Sequence, residues 1–220
     1  MPKILIVAAT RQEIEPFLTR FKIEPSNNVG FFVSAVNPHL AVLITGVGMV
    51  NTAYYMGRYF LSAFNYTINM GICGAFNKGI KLGELVNVTE DTISEMGAQD
   101  GNDFIKYKDL NLGGTNSFSS RLHEKIESIE KLKKVKGITV NAVNGNDESI
   151  SKVEKLFNPD VESMEGAGFL RGCEHLPGNC IQIRAVSNYV EKRDKSKWNI
   201  PLAINNLNDF VIKLVEDLQK

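Results

Sequence analysis

The run Ile4-Leu5-Ile6-Val7-Ala8-Ala9 is apolar at every position and gives way at once to Thr10-Arg11-Gln12-Glu13. A strand with no polar face must be covered on both sides, so a chain with this run is committed to a sheet with helices packed over it. The run is also too short, and too soon followed by charge, to be a signal peptide or a membrane span. No later window approaches the roughly eighteen consecutive apolar residues that a spanning helix needs. After it, Ile14, Phe17, Leu18 and Phe21 recur at helical spacing, and Thr10 can cap that helix with Glu13 as its capping-box partner. Glu13 is thereby expected in the first turn after a strand.

The rest of the chain keeps alternating. Residues 31–33 and 40–44 are expected as two strands of a hairpin joined by Asn37-Pro38. Thr45-Gly46-Val47-Gly48 then opens a helix whose apolar stripe is read as Val50, Ala53, Tyr54, Gly57, Leu61 and Phe64. Strand 66–70 is expected to end in a second glycine turn, Gly71-Ile72-Cys73-Gly74, followed by strand 82–88 and an irregular loop at 94–101. Leu122, Ile126, Ile129 and Leu132 predict an amphipathic helix over 119–134. Residues 137–143 read as a strand, and Asp147 as the cap of a helix over 148–156. Residues 180–187 read as a strand closed by Asn188, and the last helix starts near Pro201. The expected fold is α/β, one domain over 1–220, with a central mixed sheet flanked by helices.

Two glycine turns on neighbouring strands can form a pocket floor, because bare backbone lets N–H donors approach a ligand; the alternative is two tight turns. The first is not a dinucleotide fingerprint, since Asn51 stands where that motif needs its last glycine. Within Asp160-Val161-Glu162-Ser163-Met164-Glu165-Gly166-Ala167-Gly168 two carboxylates fall where a strand hands over to a helix, the place where α/β sheets bind ligands. Such a carboxylate can accept from a pair of ribose hydroxyls while Met164 packs on the sugar. The alternative is a helix first turn with acidic residues suited to the macrodipole.

Charge narrows the function. With 25 basic and 25 acidic residues there is no excess cation to hold nucleic acid or an anionic membrane. Cys73, Cys173 and Cys180 lack CxxC spacing and read as reduced interior thiols of a cytoplasmic protein. A small molecule is the expected partner.

Thr45-Gly46-Val47-Gly48, Met70-Gly71-Ile72-Cys73-Gly74, Met164-Glu165-Gly166-Ala167 and Arg184-Ala185-Val186-Ser187-Asn188 stand in the order and spacing of the nucleoside phosphorylase superfamily, which the chain resembles over nearly its whole length. Within it the chain is similar to the nucleosidases of methylthioadenosine and S-adenosylhomocysteine, and most to the futalosine hydrolase family, on Glu95-Met96-Gly97-Ala98-Gln99-Asp100-Gly101, on Ser187-Asn188-Tyr189-Val190-Glu191-Lys192-Arg193-Asp194 and on Trp198. The resemblance implies a partly closed, barrel-like sheet and a homodimer in which the 94–104 loop reaches the partner's site.

It also implies roles. Glu165 binds the ribose hydroxyls and Met164 packs on the sugar, with Ser163, Gly71, Ile72 and Gly74 beside the substrate. Glu13 takes a proton from the attacking water. Asn188 stands where adenine-specific relatives keep Asp, and its amide pairs with a 6-oxopurine at the oxygen and the adjacent ring nitrogen. Trp198 falls on the lid helix, or serves as a core or interface anchor. The family's small hydroxyl is replaced by Ile72, and its base-stacking aromatic by Glu148 or Ser149. No Arg lies near either glycine segment and Glu13 would repel phosphate, so water is the expected nucleophile and no metal or organic cofactor is expected. The implied reaction is hydrolysis of the N-glycosidic bond of futalosine. Other readings are a methylthioadenosine nucleosidase, a purine nucleoside phosphorylase and a non-catalytic nucleoside-binding module.

Overall fold

The structure is a computed structural model and describes residues 1–59 and 61–220. In chain order its strands are β1 (Ile4–Ala8), β2 (Gly30–Val33), β3 (Leu40–Ile44), β4 (Tyr66–Ala75), β5 (Leu85–Ile93), β6 (Gly97–Asp100), β7 (Asp103–Lys106), β8 (Ser117–Ser119), β9 (Lys133–Thr139), β10 (Val161–Ser163) and β11 (Asn179–Tyr189). The helices are α1 (Glu15–Arg20), α2 (Met49–Arg58), α3 (Glu127–Glu130), α4 (Asp147–Phe157), α5 (Gly166–Cys173) and α6 (Ile200–Leu218).

Among the described residues nine strands form one mixed sheet in the order β10-β9-β5-β11-β4-β1-β3-β2, with β8 on β5. Strand β10 pairs with β9 and returns to pair antiparallel with β4, which closes β4, β11, β5, β9 and β10 into a barrel. The apolar run of β1 lies between β3 and β4, parallel to both. Alternate side chains of a strand point to opposite faces, and both faces are covered. Ile4, Ile6 and Ala8 pack with Phe17, Leu18, Ala203, Leu207 and Val211 from α1 and α6. Leu5 and Val7 pack with Met56, Ala167 and Leu170 from α2 and α5.

Several local readings give way to long-range pairing. The second glycine segment is not a turn: β4 runs straight through Gly71 and Gly74. In a strand interior such glycines mark close approach of other groups, and here Arg184, Glu13, Asn188 and Glu162 crowd them. Residues 119–134 contain only the short α3. The backbones of Arg121 and Cys180 exchange two hydrogen bonds of 2.8 Å, which holds the start of the segment extended, and Leu122, Ile126, Ile129 and Leu132 still reach the core although only Ile129 is helical. The 94–101 loop contributes β6, which turns through left-handed Gly101 into β7. Asn146, not Asp147, caps α4 by accepting from Ser149 N.

The expected face of α2 is reversed. Val50 and Tyr54 are 73% and 56% exposed, whereas Met49, Thr52 and Met56 are buried; residue 60 lies outside the described residues. The cause is α5. A Cβ on Gly168 would stand 2.5 Å from Met49 O, and one on Gly172 2.5 Å from Met56 Cβ. The glycine face of α5 therefore admits the methionine side of α2 at close range, and that contact fixes the rotation of α2.

Candidate active site

Each carboxylate of interest leaves the end of a buried strand. Glu13 follows β1, and its Oε2 accepts from Thr10 N at 3.1 Å and Thr10 Oγ1 at 2.9 Å. The Glu13 amide points back at Thr10 Oγ1, 3.4 Å away. The expected reciprocal bonds therefore form, but around a 3-10 turn over Gln12–Ile14 and not at the start of α1, which begins at Glu15 with no side-chain cap. Glu13 Oε1 accepts from Ile72 N in β4 at 3.3 Å. Burial raises its pKa first and the charge of Glu165 second, against the opposing effects of Thr10, Arg184 and the Ile72 amide.

Glu165 follows β10 as the residue that caps α5, and its Oε1 accepts from Gly48 N at 2.9 Å at the start of α2. A helix N-terminus favours a carboxylate placed in this way. The α5 start is itself anchored. The Ala167 amide donates to Thr139 Oγ1 at 2.7 Å, Thr139 Oγ1 donates to Asp91 Oδ1 at 2.7 Å, and Gln182 Nε2 donates to Asp91 Oδ2 at 2.9 Å. Asp91 is fully enclosed, and its burial pushes its pKa up to about 6. A Cβ on Gly166 would come within 2.0 Å of Asp91 Oδ2, so only glycine lets the helix sit on that carboxylate.

Asn188 lies beyond the irregularity in the β11–β4 register, with Oδ1 2.8 Å from Ser187 Oγ and Nδ2 donating to Tyr189 O at 3.0 Å. Glu13, Glu165 and Asn188 open into one cavity of about 410 Å³, together with Ile72, Gly74, Ser163, Met164 and Trp198. An apolar cavity with a few convergent polar groups is the arrangement of a small-molecule site.

Comparison with known proteins decides the lineage. The sequence pattern of the Phosphorylase superfamily matches residues 3–216. The chain belongs to that superfamily. It is similar to the futalosine hydrolase of Thermus thermophilus, at 29% identity over 80% of this chain and 80% of that protein. It is also similar to the aminodeoxyfutalosine nucleosidase of Campylobacter jejuni, at 27% identity over 99% of this chain and 100% of that protein. In fold it matches the methylthioadenosine/S-adenosylhomocysteine nucleosidase of Helicobacter pylori, bound to butyl-thio-DADMe-Immucillin-A, with a TM-score of 0.82, 17% identity and 99% of each chain covered.

In this member of the phosphorylase superfamily, Gly71 is not part of the cavity wall. It lies beneath, where a Cβ would stand 3.3 Å from Glu13 Oε1 and 3.1 Å from Arg184 Nη1. The Ile72 amide is taken by Glu13 and Gly166 N donates to Ser163 Oγ at 3.3 Å. Trp198 is half-buried at the cavity edge in extended backbone just ahead of α6, not on a helix, with the Arg193 guanidinium 5.6 Å from its ring, so it is not a core anchor. Glu148 and Ser149 lie on α4 outside the wall, where Val143 and Asn144 stand instead; Tyr189 also lines the cavity.

Arg184 and Glu162 are among the charged residues to which the sequence assigned no role. Arg184 is 1% exposed, with Nη2 donating to Asn69 Oδ1 at 2.5 Å and its Nε without a partner. A charge inside the apolar run Ile181-Gln182-Ile183-Arg184-Ala185-Val186 was the available signal. Glu162 is 4% exposed and faces the same cavity; the strand-to-helix stretch drew attention to it without giving it a task.

Proposed function

We propose that the chain is an N-glycosidic hydrolase of a 6-oxopurine nucleoside, acting on futalosine to release hypoxanthine and dehypoxanthinyl futalosine, a step of menaquinone biosynthesis in the cytoplasm. The observation that carries the reading is the convergence of Glu13, Glu165 and Asn188 on one cavity. Glycoside cleavage of this kind passes through an oxocarbenium-like sugar. Glu165 holds the ribose hydroxyls and gains in attraction as the sugar becomes cationic, which is the differential binding that catalysis needs. Met164 packs on the sugar face. Glu13 takes the proton of the attacking water, and its raised pKa brings it nearer the working pH of a base. Asn188 holds the departing base by hydrogen bonds, and Trp198 covers the cavity edge. Arg184, below the floor, restrains the rise of the Glu13 pKa.

Water is the nucleophile in this reading because of the charges around the site. Glu13, Glu162, Glu165 and Glu191 face the cavity against Arg193 alone among the described residues, and phosphate needs clustered cationic donors. The futalosine hydrolase relatives support the substrate class, and the aminodeoxyfutalosine nucleosidase supports N-glycosidic hydrolysis. A second copy of the chain covers the outward face of α2, where Val50 and Tyr54 are exposed beside Val47 of the cavity wall; the pair of copies, each a single domain over 1–220, is the working unit. Chromatographic measurement of purine release from futalosine, aminodeoxyfutalosine and methylthioadenosine, with and without phosphate, tests the proposal. Phosphate-independent release of hypoxanthine is expected. A strict need for phosphate, or faster release of adenine, overturns it.

A further inference from the structure

We propose that Asp91, acting through Thr139, is a positioning residue that caps α5 in place of Glu165 and so leaves the Glu165 carboxylate free for the sugar. The proposal rests on the nucleosidase reading above and adds to it what keeps Glu165 available. A polar residue at a helix N-cap ordinarily turns its side-chain oxygen back onto the unbonded amides of its own first turn. Glu165 holds that position on α5 and makes no such bond. Its Oε1 reaches across to Gly48 N, and other groups take the amides it leaves. Gly166 N donates to Ser163 Oγ at 3.3 Å and Ala167 N to Thr139 Oγ1 at 2.7 Å. A threonine hydroxyl has one proton to give, and here it goes to Asp91 Oδ1 at 2.7 Å. The relay therefore runs in one direction, from amide to hydroxyl to carboxylate, and it puts negative charge below the positive end of α5. A hydroxyl that donates to a carboxylate is polarised by it and is itself the better acceptor.

The surroundings of Asp91 fit this task. Asp91, Thr139 and Gln182 are all buried, and Gln182 Nε2 fixes the second oxygen, Oδ2, at 2.9 Å. Two glycines give the carboxylate room. A Cβ on Gly137, its partner across β9, would stand 2.9 Å from Oδ2, and one on Gly166 would stand 2.0 Å from it. Burial pushes the Asp91 pKa up to about 6, against the bonds from Gln182 and Thr139, so the group is ionised at neutral pH. Among the described residues it makes no ion pair. A buried carboxylate without a paired cation is costly, and the helix start above it offsets part of that cost. Glu165 is near enough for its charge to raise the Asp91 pKa. The two carboxylates therefore repel, which turns Glu165 away from its own helix start and toward Gly48 and the cavity.

Steady-state kinetics on futalosine, run as a double-mutant cycle of Thr139→Val with Glu165→Gln, tests the proposal. Thr139→Val removes the hydroxyl, so Glu165 should fold back onto Ala167 N. Its kcat/KM should drop roughly 10–100-fold, the effect of misplacing a contact by about 1 Å. Thr139→Ser keeps the hydroxyl and should restore most of that loss. Affinity for hypoxanthine, which has no sugar for Glu165 to hold, should stay within about twofold in Thr139→Val; a loss matching that in kcat/KM overturns the proposal. In the Glu165→Gln background Thr139→Val should cost little more, because the contact it serves is already gone. Losses that multiply to within about twofold, as those of independent sites do, overturn the proposal. So does a crystal structure of Thr139→Val in which Glu165 still accepts from Gly48 N. Should Thr139→Val fail to fold, Asp91→Asn takes its place in the cycle. Its amide matches the carboxylate in size, and Gln182 can turn its unpartnered Oε1 to meet it. The loss expected there is roughly 3–10-fold, the difference between a charged and a neutral acceptor, and unchanged turnover overturns the proposal. A wild-type protein that hydrolyses no nucleoside removes the proposed function alone, since the place of Glu165 in a variant crystal structure still decides the role of Asp91.

Discussion

The Gly48 amide donates to Glu165 Oε1 at 2.9 Å, so the first glycine turn holds the carboxylate that α5 presents. One oxygen of Glu165 is thereby oriented by backbone from a different part of the chain, and the carboxylate keeps lone pairs for a sugar. Glu165→Gln puts an N–H donor within reach of that same amide and removes the negative charge. Its kcat/KM should fall roughly 10²–10³-fold, the range for losing one electrostatic contact to a transition state, with weaker ligand binding as well. Steady-state kinetics beside ligand titration checks both.

Glu13→Gln should separate chemistry from binding. The amide preserves the size of the side chain but cannot take a proton from water. Turnover should fall by about 10²–10⁴-fold, the usual contribution of a general base, while ligand affinity stays near wild type. Equal losses in kcat and affinity would point to a structural role.

The acid limb of the pH–rate profile follows from the same group. A base must be ionised, and burial together with Glu165 lifts the Glu13 pKa above its ordinary 4.5. Activity should therefore be lost as pH falls through a value above 4.5. Arg184 acts in the opposite direction, so Arg184→Met should move the limb to higher pH. A limb unmoved in that variant would show that Glu13 does not govern it.

Glu162 links stability to pH. Its folded pKa of about 7 exceeds the ordinary 4.5, so the folded chain binds the proton more tightly than the unfolded chain does. That contribution to stability is fully present below pH 4.5 and lost as pH rises through about 7. Glu162→Gln is free of the loss, and its melting temperature should gain on the wild type steadily from acidic to slightly alkaline pH. A constant offset across that range would show that Glu162 does not carry this linkage.

Gly168→Ala tests the α2–α5 contact. The added methyl would meet Met49 O at 2.5 Å, and backbone cannot swing aside as a side chain can. Overpacking of this kind costs about 1–3 kcal/mol, measurable by denaturant unfolding. The damage should extend to the site, since α2 carries Gly48 and α5 carries Glu165 at their starts.

By itself the sequence determined the layered α/β arrangement, the strand β1, the last helix and the pairing of Glu13 with Thr10. It also marked the stretch that delivers Glu165. Each of these rests on neighbours in the chain, through an apolar run, a helical period or a reach of three residues. What only the tertiary structure decided is what glycine and charge are for. Gly71 and Gly74 read locally as a turn, yet they lie within β4 because Arg184, Glu13, Glu162 and Asn188 need the room. The outward face of α2 was set by the glycines of α5, and the extended course of Arg121 by its bond to Cys180. Periodicity reports which positions are apolar, whereas closure of the barrel brings residues far apart in sequence within 3–4 Å, and at that range steric fit and hydrogen bonding override local preference.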